Sequence, residues 1–186
     1  MRIIAGDLKG RRLRTPTWEG LRPTSDKLRE TLFNVISALV AEARVLDLYA
    51  GTGAIGIEAL SRGAAHVTFV DKNPRALTLI EENLRHCGVS NRYAIIRSRL
   101  PGDPGETPQS LPAGSFDLVF LDPPYDESDL SVLIAAAEPL IAPDGLLVLE
   151  HARRRPAPEA VGRLGRTRDL VSGDSALAFY SVTSDK

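Results

Sequence analysis

The 186-residue sequence has one cysteine, Cys87, and three histidines. A lone cysteine cannot form an intramolecular disulfide, and it is usual in a reducing compartment. The histidines lie at scattered positions, so no spacing typical of a metal site is present. The sequence has no apolar run of about 18 residues, and its N-terminal residues lack the apolar region of a secretory signal. We therefore expect a protein without a membrane span or an export signal, located in the cytoplasm.

Charged residues of both signs are common and give a net charge of −1, but they are unevenly distributed along the chain. Residues 1–34 carry eight Lys/Arg and four Asp/Glu, whereas residues 35–150 carry eight and sixteen. Residues 151–168 carry six Arg and one Glu. Basic segments are often plain solvated surface. If the two meet, however, they form a phosphate-binding surface around an acidic centre.

Strand-like and helix-like segments alternate through the middle of the chain, which predicts a doubly wound, mostly parallel α/β sheet. We predict strands over residues 44–50, 67–71, 93–97, 116–121 and 146–150, and helices over 25–40, 57–62, 74–87 and 128–141. Hairpins are predicted at 1–16 and 166–182, and the latter makes the sheet mixed at one edge. We expect one domain over 1–186, with a basic N-terminal hairpin and helix (1–40) and a catalytic core (44–186). The apolar face of the first helix is predicted to include Leu28, Leu32, Phe33, Ile36, Leu39 and Val40.

A glycine-rich turn follows the first core strand and opens a helix. Gly51, Gly53 and Gly56 have the spacing of a nucleotide-binding fingerprint in the context that it requires. Asp71 ends the next predicted strand, where a carboxylate can accept hydrogen bonds from ribose hydroxyls. Dinucleotide enzymes and S-adenosylmethionine enzymes share these features, so the turn alone does not separate them.

Asp47 lies in the otherwise apolar strand before this turn. A buried carboxylate is costly unless it is paired. It would repel a pyrophosphate, whereas the cationic groups of S-adenosylmethionine would tolerate it, so Asp47 favours the latter cofactor. The alternative is that Asp47 only accepts a hydrogen bond from the turn backbone.

Asp122-Pro123-Pro124-Tyr125 follows the apolar run 116–121. In open α/β sheets, ligands bind beyond the carboxyl ends of the strands. The two prolines fix φ and stiffen the backbone after Asp122. A carboxylate, carbonyl acceptors and an aromatic ring at such a place suit a planar base with an exocyclic amino group. A plain strand-ending turn is the alternative.

Several motifs together resemble the RsmD family of class I S-adenosylmethionine-dependent methyltransferases. They are Met1–Gly6 (MRIIAG), Leu21–Thr24 (LRPT), Arg29–Asn34 (RETLFN), Asp47–Gly53 (DLYAGTG), Glu58–Ala64 (EALSRGA) and Asp122–Tyr125 (DPPY). The resemblance covers nearly the whole chain. It implies a Rossmann-like, seven-stranded sheet, a monomer, and methylation of the exocyclic N2 of one guanine in bacterial small-subunit (16S) ribosomal RNA, within a partly or fully assembled subunit.

The resemblance and the reasoning above assign three groups of residues. The catalytic group is Asp122, Pro123, Pro124 and Tyr125. The residues expected to bind S-adenosylmethionine are Asp47, Tyr49, Gly51, Thr52, Gly53, Asp71, Lys72, Asn73 and Ser98. Ser98 stands where the family often has an Asp or Asn beside the adenine. The residues expected to bind RNA phosphates are Arg11, Arg12, Arg14, Arg22 and Arg29. Arg22 and Arg29, with Thr24 and Asn34, could instead close over the cofactor, and no metal site is expected.

Other functions fit parts of the sequence less well. A DNA adenine-N6 methyltransferase shares Asp-Pro-Pro-Tyr but usually has an extra target-recognition region. A protein-glutamine methyltransferase has a motif that begins with Asn. A nicotinamide-dependent oxidoreductase is disfavoured by Asp47 and by the short chain, and a binding module without catalysis is disfavoured by the intact Asp122–Tyr125.

Overall fold

A computed structural model describes residues 1–19, 24–99, 111–126 and 129–183. By its internal contacts the chain divides into two units, Met1–Arg97 and Ser98–Lys186. The single domain expected from the sequence stays a prediction. Among the described residues, no helix has the length and apolarity needed to cross a membrane. The same residues contain no group of three or more His, Cys, Asp or Glu that is arranged to hold a metal ion.

The first unit begins with an antiparallel turn rather than with two regular strands. Ile3 N–H donates to the Arg11 carbonyl (2.9 Å), Gly10 N–H donates to the Ile3 carbonyl (2.9 Å), and the only regular bridge described in this segment joins Arg2 and Arg12. Helix α1, Asp26–Val35, follows and is capped by the Ser25 side chain, which accepts from Leu28 N–H.

Three parallel strands form the core of the first unit, in the order β3-β2-β1. They are β1 Arg44–Leu48, β2 His66–Asp71 and β3 Tyr93–Arg97. The connecting helices are α3, Ala54–Ser61, and α4, Pro74–His86. Val45, Val67 and Phe69 are fully buried, so β1 and β2 contribute directly to the core of the unit.

The second unit holds five strands in the order β4-β5-β8-β7-β6. The pair β4–β5 is parallel, and β5–β8, β8–β7 and β7–β6 are antiparallel. Their bounds, with helix α5 and the 3-10 turn that follows it, are β4 Phe116–Leu121, α5 Leu130–Ala137, Glu138–Leu140, β5 Ile141–Ala152, β6 Ala160–Val161, β7 Leu164–Ser172 and β8 Ser175–Val182. The α/β fold with a mostly parallel sheet is thus confirmed.

Several boundaries differ from the sequence prediction for local reasons. The predicted first helix breaks at Ile36, and Ser37–Val40 forms a separate short helix, α2, whose Leu39 is 53% exposed rather than on the apolar face. Helix α5 ends before Pro139, which lacks the N–H that an α-helix needs there. The resemblance implies seven strands. The described residues form eight, because the two-residue β6 pairs with the start of β7.

Candidate active site

The glycine-rich turn is a tight left-handed loop between β1 and α3. Tyr49, Gly51 and Gly53 have φ values of 61°, 57° and 79°. Only glycine adopts such angles without strain, so Tyr49 is a strained residue at this loop. At Gly56 the reason for glycine is space, since a Cβ there would lie 2.2 Å from the Phe69 ring. These glycines let α3 pack directly on β2 behind the turn.

Asp71, the predicted ribose-binding carboxylate, ties the turn to the start of α4. Its Oδ2 accepts a hydrogen bond from Gly51 N–H (3.0 Å), and its Oδ1 accepts one from Asn73 N–H (2.8 Å). Asn73 in turn caps α4 through Arg75 N–H. The carboxylate is therefore fixed in orientation at the end of β2.

Asp47 lies beneath the same turn and is 2% exposed. Its one described hydrogen bond is accepted by Oδ2 from Gly56 N–H (3.0 Å). Burial raises the pKa of Asp47 to about 8, and the nearby Asp71 charge adds to the rise, although the Gly56 hydrogen bond opposes it. The hydrogen bond from the turn backbone, which was the alternative explanation for Asp47, is thus present. It does not fully compensate the cost of burying the ionised carboxylate.

The other residues expected to bind cofactor have varied environments. Thr52 is buried, with its hydroxyl against Ala54 N–H (3.3 Å) and Met1 Sδ (3.7 Å). Lys72 is exposed, and Ser98 is half-buried directly after β3. No contact described for these three side chains tests their predicted role.

Asn83 is a residue that the sequence reasoning missed. Its fully buried side chain accepts from Arg14 N–H (2.8 Å) and donates to the carbonyls of Arg14 (3.2 Å) and Thr52 (2.9 Å). It therefore joins the basic N-terminal segment to the glycine-rich turn. The available signal was a polar residue on the apolar face of an amphipathic helix, between Ile80 and Leu84.

The prediction that Arg29 binds RNA phosphates is wrong, because its side chain is fully buried. Its guanidinium donates to the Arg2 carbonyl and to Asp26 (2.8 Å), and its Nε lies 3.7 Å from Glu58. Burial lowers the pKa of Arg29, while the charges of Glu58 and Asp26 oppose that shift. Arg29 is thus an internal ion-pair residue.

Glu58 is the centre of this buried cluster, and the sequence reasoning gave it no role. Its carboxylate accepts from the backbone N–H groups of Ile4 (2.9 Å) and Ala5 (3.0 Å) and from Arg62 Nε (2.9 Å). With Arg29 it fixes the N-terminal segment on α3. The signal was a single acid in an otherwise apolar helix, AIGIEALS.

The remaining arginines of the proposed RNA-binding set differ in surroundings. Arg11 and Arg12 are exposed on the N-terminal turn. Arg14 is also exposed, where it forms an ion pair with Glu82 (3.1 Å). Arg22 lies outside the described residues. Three of the five expected cations are therefore presented at the surface of the first unit.

Asp122-Pro123-Pro124-Tyr125 begins directly after the buried β4, as predicted. Asp122 is half-buried, Pro123 is buried and Pro124 is exposed. The Tyr125 hydroxyl lies 2.5 Å from the Ser175 hydroxyl at the start of β8. Ser175 is 8% exposed, so a buried hydroxyl fixes the outer end of the aromatic ring. Ser175 is another residue that the sequence reasoning missed.

The α/β fold, the glycine-rich turn after β1 and the Asp122–Tyr125 motif after β4 are together those of a class I methyltransferase. A family model described as Conserved hypothetical protein 95 matches residues 1–181. The chain is 36% identical over 187 residues to the Bacillus subtilis (strain 168) protein YlbH, covering 97% of this chain and 98% of that protein. It is 32% identical to the Escherichia coli (strain K12) Ribosomal RNA small subunit methyltransferase D, covering 97% and 89%.

A solved structure agrees with these sequence matches. The Escherichia coli protein yhhF superimposes with a TM-score of 0.83 at 30% identity, covering 100% of this chain and 99% of that one. The chain therefore belongs to the Conserved hypothetical protein 95 family, the RsmD family.

Proposed function

We propose that the protein transfers a methyl group from S-adenosylmethionine to the exocyclic N2 of a guanine in small-subunit (16S) ribosomal RNA. Family membership supports ribosomal RNA methylation, since relatives carry that activity in their names. The observation that carries the choice of an amino group is Asp122-Pro123-Pro124-Tyr125, a carboxylate and an aromatic ring on stiff backbone after a buried strand.

The first unit has a donor and acceptor set that fits S-adenosylmethionine. Asp71 is an oriented carboxylate at a strand end, suited to two ribose hydroxyls. Asp47 is an under-compensated buried carboxylate, suited to a cation and unsuited to a pyrophosphate. When bound, this cofactor supplies an electrophilic methyl group on a sulfonium. Tyr49, Gly51, Thr52, Gly53, Lys72, Asn73 and Ser98 complete the proposed set.

Asp122 and the Pro123 carbonyl hold the guanine amino group. That nitrogen is a weak nucleophile, because its lone pair is delocalised into the ring. Hydrogen bonds from its two N–H groups to the carboxylate and the carbonyl direct the lone pair away from the ring plane. Asp122 also accepts the proton that the nitrogen loses. Alignment of this kind supplies most of the acceleration that a methyl transfer needs.

Tyr125 stacks on the guanine, and its ring is held by Ser175. Stacking of this kind contributes about 1–3 kcal/mol per base. The base must leave its own stack or already be looped out, as for other enzymes that act on bases. Arg11, Arg12 and Arg14 hold RNA phosphates, and Arg22 belongs to the same set. The partner is ribosomal RNA in the small subunit or its assembly intermediate, in the cytoplasm, with the protein acting as a monomer.

The test is methyl transfer from labelled S-adenosylmethionine to small ribosomal subunits that lack the modification, with naked RNA and duplex DNA in parallel. Label recovered as N2-methylguanine in the RNA supports the proposal. Label recovered only as N6-methyladenine in DNA contradicts it.

A variant of the catalytic motif makes the same test specific for the site. Asp122→Ala removes the amino-group acceptor and should lower turnover by about 10²–10⁴-fold. Binding of S-adenosylmethionine by the folded variant serves as the control. A folded Asp122→Ala protein with wild-type turnover would overturn the role of Asp122.

A further inference from the structure

We infer that Arg153 and Arg154 form a second RNA contact, which binds the phosphates next to the target guanine. The inference rests on the proposed function, because it names a further part of the RNA that the same site engages. Arg153 and Arg154 lie in the turn Ala152–Arg155, which follows β5. The turn, β5, β8 and Tyr125 all belong to the second unit.

The turn is built into the fold and is not a loose loop. Arg155 N–H donates to the Ala152 carbonyl (2.9 Å), and Arg153 N–H donates to the Asp174 carbonyl (2.8 Å). The two backbone bonds close the turn on itself and attach it to the segment before β8. The backbone that carries Arg153 and Arg154 is thereby fixed.

A buried imidazole holds the same turn from the inside. His151 is 6% exposed, and its Nδ1 lies 2.8 Å from the Arg155 carbonyl and 3.1 Å from the Ala152 carbonyl. Carbonyls only accept hydrogen bonds, so Nδ1 carries the proton and donates. His151 therefore links both ends of the turn without using either arginine side chain.

The turn lies beside the proposed base-stacking residue. Ala152, the first residue of the turn, pairs with Ser175 in the β5–β8 ladder. Ser175 is also the residue whose hydroxyl lies 2.5 Å from the Tyr125 hydroxyl. Directly paired residues in an antiparallel ladder have Cα atoms about 4.5–5.5 Å apart. One residue pair thus connects the aromatic ring to the start of the arginine turn.

The two arginine side chains are presented to solvent. Both are exposed, and neither has a side-chain hydrogen bond or ion pair among the residues that the structure describes. By contrast, Arg163 is paired with Glu138 (2.7 Å), and Arg166 donates to the Ala157 carbonyl (2.9 Å). The side chains of Arg163 and Arg166 are thus held by contacts within the fold, whereas, among the described residues, those of Arg153 and Arg154 are not.

The chemistry of the turn selects a polyanion with closely spaced charges. Asp174, which directly precedes β8, contacts Arg153 through backbone atoms, since its carbonyl accepts from Arg153 N–H. Two adjacent guanidiniums on a fixed turn match successive phosphates, which arginine binds in bidentate fashion. Their place beside Tyr125 makes these the phosphates that flank the looped-out base.

The test compares three variants in methyl transfer to unmodified small ribosomal subunits and in binding to the same subunits. Arg153→Ala/Arg154→Ala should raise KM for the subunit at least tenfold, while the affinity for S-adenosylmethionine stays unchanged. Arg153→Lys/Arg154→Lys keeps the charge but not the bidentate geometry, and should recover only part of the loss. Arg168→Ala is the matched control, because Arg168 is an exposed arginine of the same unit, opposite Phe179 and away from Ser175.

Salt dependence gives a second readout that a structural role would not move. Each phosphate contact on a single strand adds about 0.7 to the slope of log affinity against log salt. The double alanine variant should therefore lose about 1.4 from that slope, and Arg168→Ala should lose little. A wild-type KM and slope in the double variant, or an equal loss in Arg168→Ala, would overturn the inference. Absence of methyl transfer by the wild-type protein would instead overturn the proposed function itself.

Discussion

Two buried carboxylates of the first unit, Glu58 and Asp47, are treated differently by their surroundings. Glu58 is fully buried and is met by two backbone N–H groups and two arginines. Asp47 is nearly as buried and is met by one described backbone N–H. The negative charge of Glu58 is therefore compensated within the fold, whereas that of an ionised Asp47 is not. The difference separates a carboxylate that fixes the N-terminal segment from one that we propose to face a cationic cofactor.

The largest effect that would test this comparison is on folding. Glu58→Gln should lower the free energy of unfolding by about 3–5 kcal/mol, because it removes the fully buried carboxylate that faces both Arg29 and Arg62. Urea unfolding at neutral pH measures the loss. A decrease below about 1 kcal/mol, within the range of an exposed pair, would mean that the buried cluster does not anchor the N-terminal segment.

The second prediction concerns the pH dependence of stability. Because folding raises the pKa of Asp47 from 3.8 to about 8, the folded state holds the proton more tightly than the unfolded state. The stabilisation is complete below pH 3.8 and is lost as pH rises towards 8. Across that window, Asp47 should lower the free energy of unfolding by at most about 1.4 kcal/mol per pH unit. Asp47→Asn should show a flatter stability curve from pH 5 to 8, and identical curves would contradict the unusual state of Asp47.

The third prediction concerns the cofactor. Asp47→Asn keeps an acceptor for Gly56 N–H but cannot ionise, so it offers no negative charge to a bound cation. It should weaken S-adenosylmethionine binding about tenfold, equivalent to about 1.4 kcal/mol, with little loss of folding stability at neutral pH. Binding calorimetry measures the change, and S-adenosylhomocysteine, which lacks the sulfonium charge, is the control ligand. Equal weakening for both ligands would argue against a charge interaction.

The smallest effect is expected at an exposed pair that serves as the control for Glu58. Glu82→Gln breaks the ion pair between Arg14 and Glu82, whose side chains are 62% and 40% exposed. Such pairs contribute about 0–1 kcal/mol, so urea unfolding should barely change. A loss as large as that of Glu58→Gln would show that burial does not set the contribution of these pairs.

Much of the fold was accessible from the sequence because its signals are local. The strand before the glycines and the helix that begins at residue 74 are each set by residues only a few positions apart, and the structure confirms both. The end of α5 was mispredicted because apolar periodicity continued past Pro139. The contacts of Asp71 with Gly51 and Asn73 fit its expected place at a strand end.

The features that escaped the sequence reasoning depend on pairings between distant residues. Asn83 contacts residues 69 and 31 positions away, and Glu58 contacts Ile4 across 54 positions. Arg29 was assigned to the surface because arginine is usually exposed, whereas its burial depends on contacts with Arg2 and Glu58, which are distant in the sequence. Ser175 gave no local signal, since its role arises from the register that brings it to Tyr125.

The claim that Asp47 is held for a cationic cofactor is tested most directly by counting protons released on binding. Calorimetry of S-adenosylmethionine binding at pH 7, in two buffers with different ionisation enthalpies, gives this number. With a pKa of about 8, Asp47 is mostly protonated before binding and should ionise beside the cation. We expect the wild-type protein to release nearly one proton on binding and Asp47→Asn to release almost none. The same proton count in both proteins would contradict it.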